Sequence, residues 1–310
     1  MHRALLAFML AIATPVAAQA GYLAGVHAFN DGDFATAFAE LAPLAEDGNT
    51  SAQYYLGQMY LTGRGVERDE ARAFVLLSAA AEAGDARAQV NMGLFYESGR
   101  MVERDLSTAA SWFAKAAEAG MPFAQTKLGV LYQRGAGLAL DYDRARELYQ
   151  AAAAQGDVYA LRNLGYLYEN GLGVEQDYDE AERWYRAAMA EGYPGAMNNL
   201  AWMLAARQVR LDEALELAQH AVDLHPTPTF IDTLGYVHFQ RGEYEAAVAA
   251  YERSLAMFDG DWSVIARLGD AYNEVGEVSK AQETWQRALG AAPAGPERDA
   301  LVKKLEESQS

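Results

Sequence analysis

The amino-acid sequence contains no cysteine, and its 310 residues include only five histidines and eight prolines. Without thiols, the chain can form neither a disulfide framework nor a cysteine-ligated zinc site, and thiolate catalysis is excluded. The stability of the fold must therefore come from side-chain packing alone. A chain without cysteine is also compatible with an oxidising compartment, where a stray thiol would be a hazard.

Basic residues are scarce as well. The chain has 25 lysines and arginines against 43 aspartates and glutamates, which gives a formal net charge of −18. A field of this sign repels phosphate backbones and anionic membrane surfaces, so nucleic acid is not expected as a partner. Hydrophobic residues make up 51% of the chain, which excludes general disorder, and the many alanines among them favour closely packed helices.

Long hydrophobic runs are absent except near the start of the sequence. There, Arg3 precedes an apolar run over residues 4–13, and Pro15 and small residues follow it. This layout is typical of a secretory signal peptide over residues 1–20, with cleavage favoured before Gly21 and permitted two residues earlier. No later run has the length of a membrane span, and no cysteine follows the cleavage site to carry a lipid. We therefore expect a periplasmic or secreted protein without stable membrane insertion.

Most of the sequence repeats itself at a fixed interval of 36 residues. The recurring columns are Leu56, Met92, Leu128, Leu164 and Leu200; Tyr60, Tyr96, Tyr132 and Tyr168; Gly63, Gly99, Gly135 and Gly171; Asp69, Asp105, Asp141 and Asp177; Ala73, Ala109, Ala145 and Ala181; and Gly84, Gly120, Gly156 and Gly192. After Leu200 the interval becomes 34 residues, through Leu234 and Leu268. A period of this length predicts stacked supersecondary units.

Each unit is interpreted as a pair of helices. Apolar residues four apart, such as Leu56 and Tyr60, form one stripe of the first helix, and Gly63 supplies a left-handed residue that ends it. Asp69 can accept the free amides at the start of the second helix. Neither helix can bury its apolar stripe alone, so neighbouring units must stack. The pattern predicts an all-α fold, a solenoid of helix-turn-helix repeats.

The repeated residues resemble two related families of helical hairpins. Residues from Ala160 to Gly192 match almost fully the pattern AxxxLGxxYxxGxGVxxDxxxAxxWYxxAAxxG of the Sel-like repeat, and the 34-residue units resemble tetratricopeptide repeats. The resemblance implies a right-handed superhelix. We predict a signal peptide (1–20), a degenerate N-terminal capping repeat (21–49), four Sel-like repeats (50–193), three tetratricopeptide-like repeats (194–293), and a C-terminal capping helix and tail (294–310). We expect one continuous superhelix whose pitch changes near residue 194.

The resemblance also implies where a ligand binds, since in these families the first helix of each hairpin lines a concave groove. The column before the recurring leucine reads Tyr55, Asn91, Lys127, Asn163, Asn199, Thr233 and Arg267. An amide side chain both donates and accepts, so a row of asparagines can pair with an extended peptide backbone. Two places after the leucine, Tyr166, Trp202 and Tyr236 offer aromatic anchors. Arg162, near Arg134 and Lys127, can receive a carboxylate.

The predicted groove therefore contains Asn91, Lys127, Asn163, Asn199, Arg162, Tyr166, Trp202 and Tyr236. Its expected occupant is a protein or peptide segment. Two simpler interpretations stay open for these columns: the aromatic and amide side chains pack against the next hairpin, and the basic residues form a solvated helix face.

Motifs for catalysis or metal binding are lacking. His220 and His225 are five residues apart rather than the four that place two imidazoles on one helical face, and the sequence contains no G-x-S-x-G, phosphate-loop or H-E-x-x-H motif. We predict no metal, no cofactor and no enzymatic activity. The function expected is a periplasmic scaffold or adaptor, and the resemblance implies a role in envelope signalling. Two alternatives are a β-lactam-binding or β-lactam-hydrolysing enzyme, whose cysteine-rich relatives use disulfides that this chain cannot form, and a purely architectural part of an envelope complex.

Overall fold

The computed structural model describes residues 19–308, which fold into 17 helices without any strand. The predicted all-α fold class, a solenoid of helical repeats, is confirmed. Most of the predicted signal peptide, residues 1–18, lies outside the described residues. The helices are α1 (including 19–31), α2 (Phe34–Glu46), α3 (Thr50–Thr62), α4 (Glu70–Glu82), α5 (Ala86–Ser98), α6 (Leu106–Glu118), α7 (Pro122–Arg134), α8 (Tyr142–Ala153), α9 (Val158–Asn170), α10 (Tyr178–Ala190), α11 (Pro194–Ala206), α12 (Leu211–Leu224), α13 (Pro228–Gln240), α14 (Tyr244–Met257), α15 (Trp262–Glu274), α16 (Val278–Ala291) and α17 (Pro296–Glu307).

The chain divides into two compact units, an N-terminal unit up to Ala160 and a C-terminal unit from Leu161. In the N-terminal unit α3 contacts α4, α5 contacts α6, and α7 contacts α8, so consecutive helices form hairpins. In the C-terminal unit the same holds for α11 with α12, α13 with α14, and α15 with α16. The predicted domain boundaries and the continuous superhelix stay predictions.

Aspartates begin the second helices of the 36-residue repeats, as the sequence predicts. Each of the four accepts a hydrogen bond from a main-chain N–H in the first turn and so satisfies an otherwise unpaired donor. These caps are Asp69, Asp105, Asp141 and Asp177. Hydrogen bonds from Thr108 and Ser107 lower the pKa of Asp105 to about 2.

Left-handed residues end the first helices and shape the loops that follow them. Gly63 ends α3 with a φ of 72°. Two residues after this glycine, the loops of three repeats have a second left-handed glycine, namely Gly65, Gly137 and Gly173. In the loop after α5 the same position is Met101, which also has a positive φ, of 69°. A side chain is unfavourable in this conformation. The packing of the repeat, rather than the residue at this position, therefore sets the turn.

A glycine directly after the recurring leucine lets the two helices of a hairpin approach closely. A Cβ atom on Gly165 would lie 2.5 Å from Cε1 of Tyr185, and one on Gly93 would lie 2.5 Å from Cε1 of Phe113. The ring from the second helix thus packs against bare backbone of the first. The same arrangement relates Gly129 to Tyr149, Gly235 to Tyr251 and Gly269 to Trp285.

Helix α17 packs at the C-terminal end of the described chain. Its buried Leu301 and Leu305 join the core around Trp285. Arg298 donates hydrogen bonds to the carbonyls of Leu289 and Ala292, which α16 leaves unpaired at its end. The helix thus covers apolar surface that α15 and α16 would otherwise expose.

Candidate functional site

First helices of three successive hairpins in the C-terminal unit form a polar and aromatic cleft of about 360 Å³. The side chains that line it come from α9, α11 and α13. They are Arg162, Tyr166, Glu169, Asn170, Asn198, Asn199, Trp202, Thr229, Asp232 and Thr233. Because the recurring leucines face the core, residues beside them on each helix face the cleft together.

Four of the predicted groove residues line this cleft: Arg162, Tyr166, Asn199 and Trp202. Tyr166 is 41% exposed, so its ring offers aromatic surface in the open cleft. Tyr236, a fifth predicted residue, stacks on Trp202 with ring centroids 4.1 Å apart. The tertiary structure therefore brings together residues that are up to 74 positions apart in the chain.

Asn163 is a member of the predicted amide row but is only 5% exposed. Its Oδ1 accepts a hydrogen bond from Arg162 Nη2 at 2.6 Å. In this conformation Asn163 supports the side chain of Arg162 and offers little surface to a ligand. Its predicted contact with a peptide is not tested by the structure and stays a prediction.

The other two predicted residues, Asn91 and Lys127, belong to the N-terminal unit and already have partners there. Asn91 Nδ2 donates to the carbonyl of Arg87 on its own helix at 2.9 Å. Lys127 Nζ lies 2.8 Å from Glu97 Oε2. A peptide that bound these two side chains would have to compete with these bonds.

A salt bridge fixes the aromatic side of the cleft. Arg267 of α15 donates from Nε and Nη2 to the carboxylate of Asp232 on α13, with distances from 2.8 to 3.1 Å. The same guanidinium lies 5.4 Å from the centroid of the Trp202 ring. Burial raises the pKa of Asp232, and Arg267 opposes this effect. The stack of Trp202 and Tyr236 is thus held in place by a charged neighbour.

Glu169 stands at the other side of the cleft, where Tyr185 of α10 donates its hydroxyl to Glu169 Oε2 at 2.5 Å. Burial raises the pKa of Glu169 and outweighs the lowering effect of this hydrogen bond. Burial likewise raises the pKa of Tyr185, so its hydroxyl stays a proton donor. An ionised Glu169 is therefore costly for the folded protein.

Replacing Glu169 by glutamine should stabilise the protein above the usual pKa of a glutamate and have little effect below it. A carboxyl group with a raised pKa in the folded state costs stability as the pH rises from its unfolded pKa through its folded pKa. Glutamine removes this loss and can still accept from Tyr185. Urea unfolding of both proteins between pH 4 and pH 8 measures the effect. A constant difference across this range would contradict the interpretation.

Sequence reasoning missed Glu169, Asn198 and Asp232 as cleft residues. A signal for two of them exists, because Arg162, Asn198 and Asp232 occupy the same position of successive repeats, 36 and then 34 residues apart. In the earlier repeats this column holds Tyr54, Val90 and Thr126. From Arg162 onwards, this repeat position thus holds charged or amide side chains next to the core. This change is the sequence feature that indicates the cleft.

Two further features concern metals and membranes. Over residues 19–308, no three histidine, aspartate or glutamate side chains gather closely enough to hold a metal ion. None of the helices in that range combines the length and the apolar character that crossing a membrane requires.

Two family models match the chain. The Sel1 repeat matches residues 50–85, 86–121, 122–157 and 158–193, and the tetratricopeptide repeat matches residues 238–305. Both matches agree with the hairpins described above. The fold and these matches define an all-helical repeat scaffold, a class consistent with protein-binding adaptors.

Solved structures with the same repeats are similar to this chain. A Sel1 repeat protein from Oxalobacter formigenes is 29% identical, with a TM-score of 0.62 over 74% of this chain and 97% of its own. A protective antigen present in uropathogenic Escherichia coli strains, which displays an SLR fold, is 28% identical, with a TM-score of 0.53 over 88% of this chain and 69% of its own. The chain thus contains four Sel1 repeats and, after them, a tetratricopeptide-repeat region, and the resemblance seen in the sequence is confirmed.

A curated relative matches a shorter region. The heat shock protein STI1 of Saccharomyces cerevisiae is 35% identical over 92 residues, which is 27% of this chain and 15% of STI1. Since the match spans so little of STI1, it supports the presence of helical repeats and no more.

Proposed function

We propose that the protein is a non-enzymatic scaffold that holds a segment of another polypeptide against the first helices of its repeats. The observation that carries this proposal is the cleft between α9, α11 and α13, where Tyr166, Asn199 and Trp202 meet on one open surface. Aromatic rings with a fixed orientation and amides that can both donate and accept suit a peptide, because the rings bind side chains and the amides bind the backbone.

The proposed location is the periplasm, or outside the cell, with cleavage of the signal peptide before Gly21. The basic start and the apolar run over residues 4–13 support export. Regulation of envelope signalling is the role that we propose there. Cell fractionation followed by mass spectrometry of the mature N-terminus tests the location. Recovery of the uncleaved chain in the cytoplasm alone would contradict it.

A photo-crosslinking residue placed at position 166 tests the binding face in intact cells. We expect Tyr166→p-benzoylphenylalanine to yield a discrete cross-linked protein, because the replaced ring is exposed in the cleft. The same replacement at Glu216, an exposed residue of the second helix α12, is the matched control. Adding Trp202→Ala to the position-166 variant should weaken the product.

Identical products from positions 166 and 216 would contradict the assignment of the binding face. The absence of any product from position 166, with product from position 216, would contradict it as well. Because far-ultraviolet dichroism reports helix content directly, unchanged spectra of all three variants would show that the differences do not arise from unfolding.

A further inference from the structure

Two opposite charges in the cleft of the C-terminal unit have no ionic partner. Arg162 and Glu169 both line the cleft and both lie on α9. Elsewhere in this unit charged side chains pair readily, as Arg186 does with Glu182 and Glu213. Within residues 19–308, no carboxylate lies within salt-bridge distance of Arg162 and no cation lies within that distance of Glu169. The cleft thus keeps one positive and one negative group unpaired.

Arg162 is also incompletely hydrogen bonded. Its Nη2 donates to the neutral oxygen of Asn163, while its Nε is buried and has no hydrogen-bond partner in the described part of the chain. Leaving a buried donor of a charged group unsatisfied is costly, so a ligand that supplies an acceptor here gains free energy on binding. A carboxylate suits a guanidinium best, since it can accept two parallel hydrogen bonds.

Glu169 is the complementary case. Among residues 19–308, only the hydroxyl of Tyr185 donates to it, and burial raises its pKa. An ammonium or guanidinium group placed against its free oxygen would favour the ionised form. The cleft therefore has one position for an anionic group and one for a cationic group.

Asn198 adds a position for a hydrogen-bond donor. Its side chain lines the same cleft and is only 6% exposed, and its Oδ1 is buried without a partner. A backbone N–H group of a bound polypeptide is a donor of the right kind for this amide oxygen.

The spacing of Arg162 and Glu169 along α9 indicates the length of a ligand that can reach both. Arg162 and Glu169 are seven residues apart on one helix, which is two turns and about 10 Å along the axis. An extended chain in the polyproline II conformation advances about 3.1 Å per residue and has three residues per turn, so two side chains three residues apart lie on one face and span about 9 Å. A free amino acid carries both charges on one carbon and cannot reach both groups. A polypeptide segment can.

We propose that the cleft selects an extended polypeptide segment that places an acidic side chain at Arg162 and a basic side chain about three residues away at Glu169, with an intervening backbone N–H bonded to Asn198. This inference rests on the proposed function. It adds that the bound segment carries its acidic and basic side chains in a defined order along the chain. Asn198 bonds a backbone N–H between the two charged side chains, and a chain of reversed direction presents this N–H differently, so the segment binds in one direction and the order of its charges decides binding.

Synthetic peptides bound to the full-length mature chain test the order of charges. Two fluorescein-labelled nine-residue peptides carry one aspartate and one lysine three positions apart on the same glycine, serine and leucine background, in opposite orders. A third carries serine at both positions. Fluorescence anisotropy should show that one order binds about tenfold more tightly than the uncharged peptide, as one well-placed charged contact provides.

Exchanging the two charges of the protein tests the assignment directly. The double variant Arg162→Glu, Glu169→Arg should prefer the opposite peptide order. Equal binding of both orders by the wild type, or the same preferred order in the exchanged variant, would overturn the proposal. Neither result would affect the cross-links from position 166, so failure of this inference is distinguishable from failure of the proposed function.

Milder variants keep the test decisive if the exchanged variant does not fold. Arg162→Gln and Glu169→Gln should each abolish the preference for one order. Arg253→Gln, at an exposed position of α14, is the matched control and should keep the preference. A preference that survives both cleft variants would also overturn the proposal.

Discussion

Replacing Gly137 by alanine should lower the free energy of unfolding by roughly 2–4 kcal/mol. Gly137 adopts a φ of 75°, where a side chain is strained. A Cβ atom would also lie 2.4 Å from the carbonyl carbon of Leu106 and 2.6 Å from its oxygen. Both atoms belong to the backbone at the start of α6, so no rotation of a side chain can relieve the clash. Urea unfolding followed by circular dichroism measures the loss.

Gly156→Ala separates the two contributions. Gly156 has a φ of 83°, yet nothing lies within 4 Å of its Cβ position. Only the conformational cost applies there, and we expect a loss of about 1–2 kcal/mol. If both variants lost the same stability, the close contact between the Gly137 loop and α6 would not contribute, and the interpretation would be wrong.

Replacing Asp232 by alanine should cost roughly 2–4 kcal/mol, because it leaves the guanidinium of Arg267 partly buried without its anion. The side chains of Asp232 and Arg267 are only 12% and 23% exposed. The change should also weaken peptide binding, since Arg267 would no longer be held beside the ring of Trp202. Thermal unfolding and anisotropy with the peptides described above measure the two effects.

A double replacement provides the control for this second prediction. Asp232→Leu with Arg267→Met removes both charges and fills most of their volume, so the loss of stability should be clearly smaller than for Asp232→Ala. A double variant as unstable as the single one would show that packing rather than the unpaired charge explains the loss.

Much of the fold could be predicted because it depends on local chemistry that recurs. Asp69 and its equivalents can cap a helix in any context, and a glycine at the place of Gly63 ends one for the same reason in each repeat. The glycines directly after the leucines allow close contact between helices, which the rings of Phe113 and Tyr185 make.

The candidate site was less predictable, because a column fixes a position on a helix and not the partner of a side chain. Asn163 and Asn199 share a column, yet Asn163 is buried against Arg162 whereas Asn199 lines the cleft. Arg267, in the same column, pairs with Asp232 of the preceding hairpin. Such differences depend on the neighbouring repeat.

The sequence by itself determined the helices, their caps and their pairing in hairpins, since each of these depends on residues close together in the chain or on a short repeated pattern. Only the tertiary structure decided which polar residues became buried and which charges stayed unpaired. The physical reason is that burial and ion pairing depend on side chains supplied by neighbouring hairpins. Arg162, Glu169 and Asn198 are binding candidates because of such neighbours, which the sequence did not show.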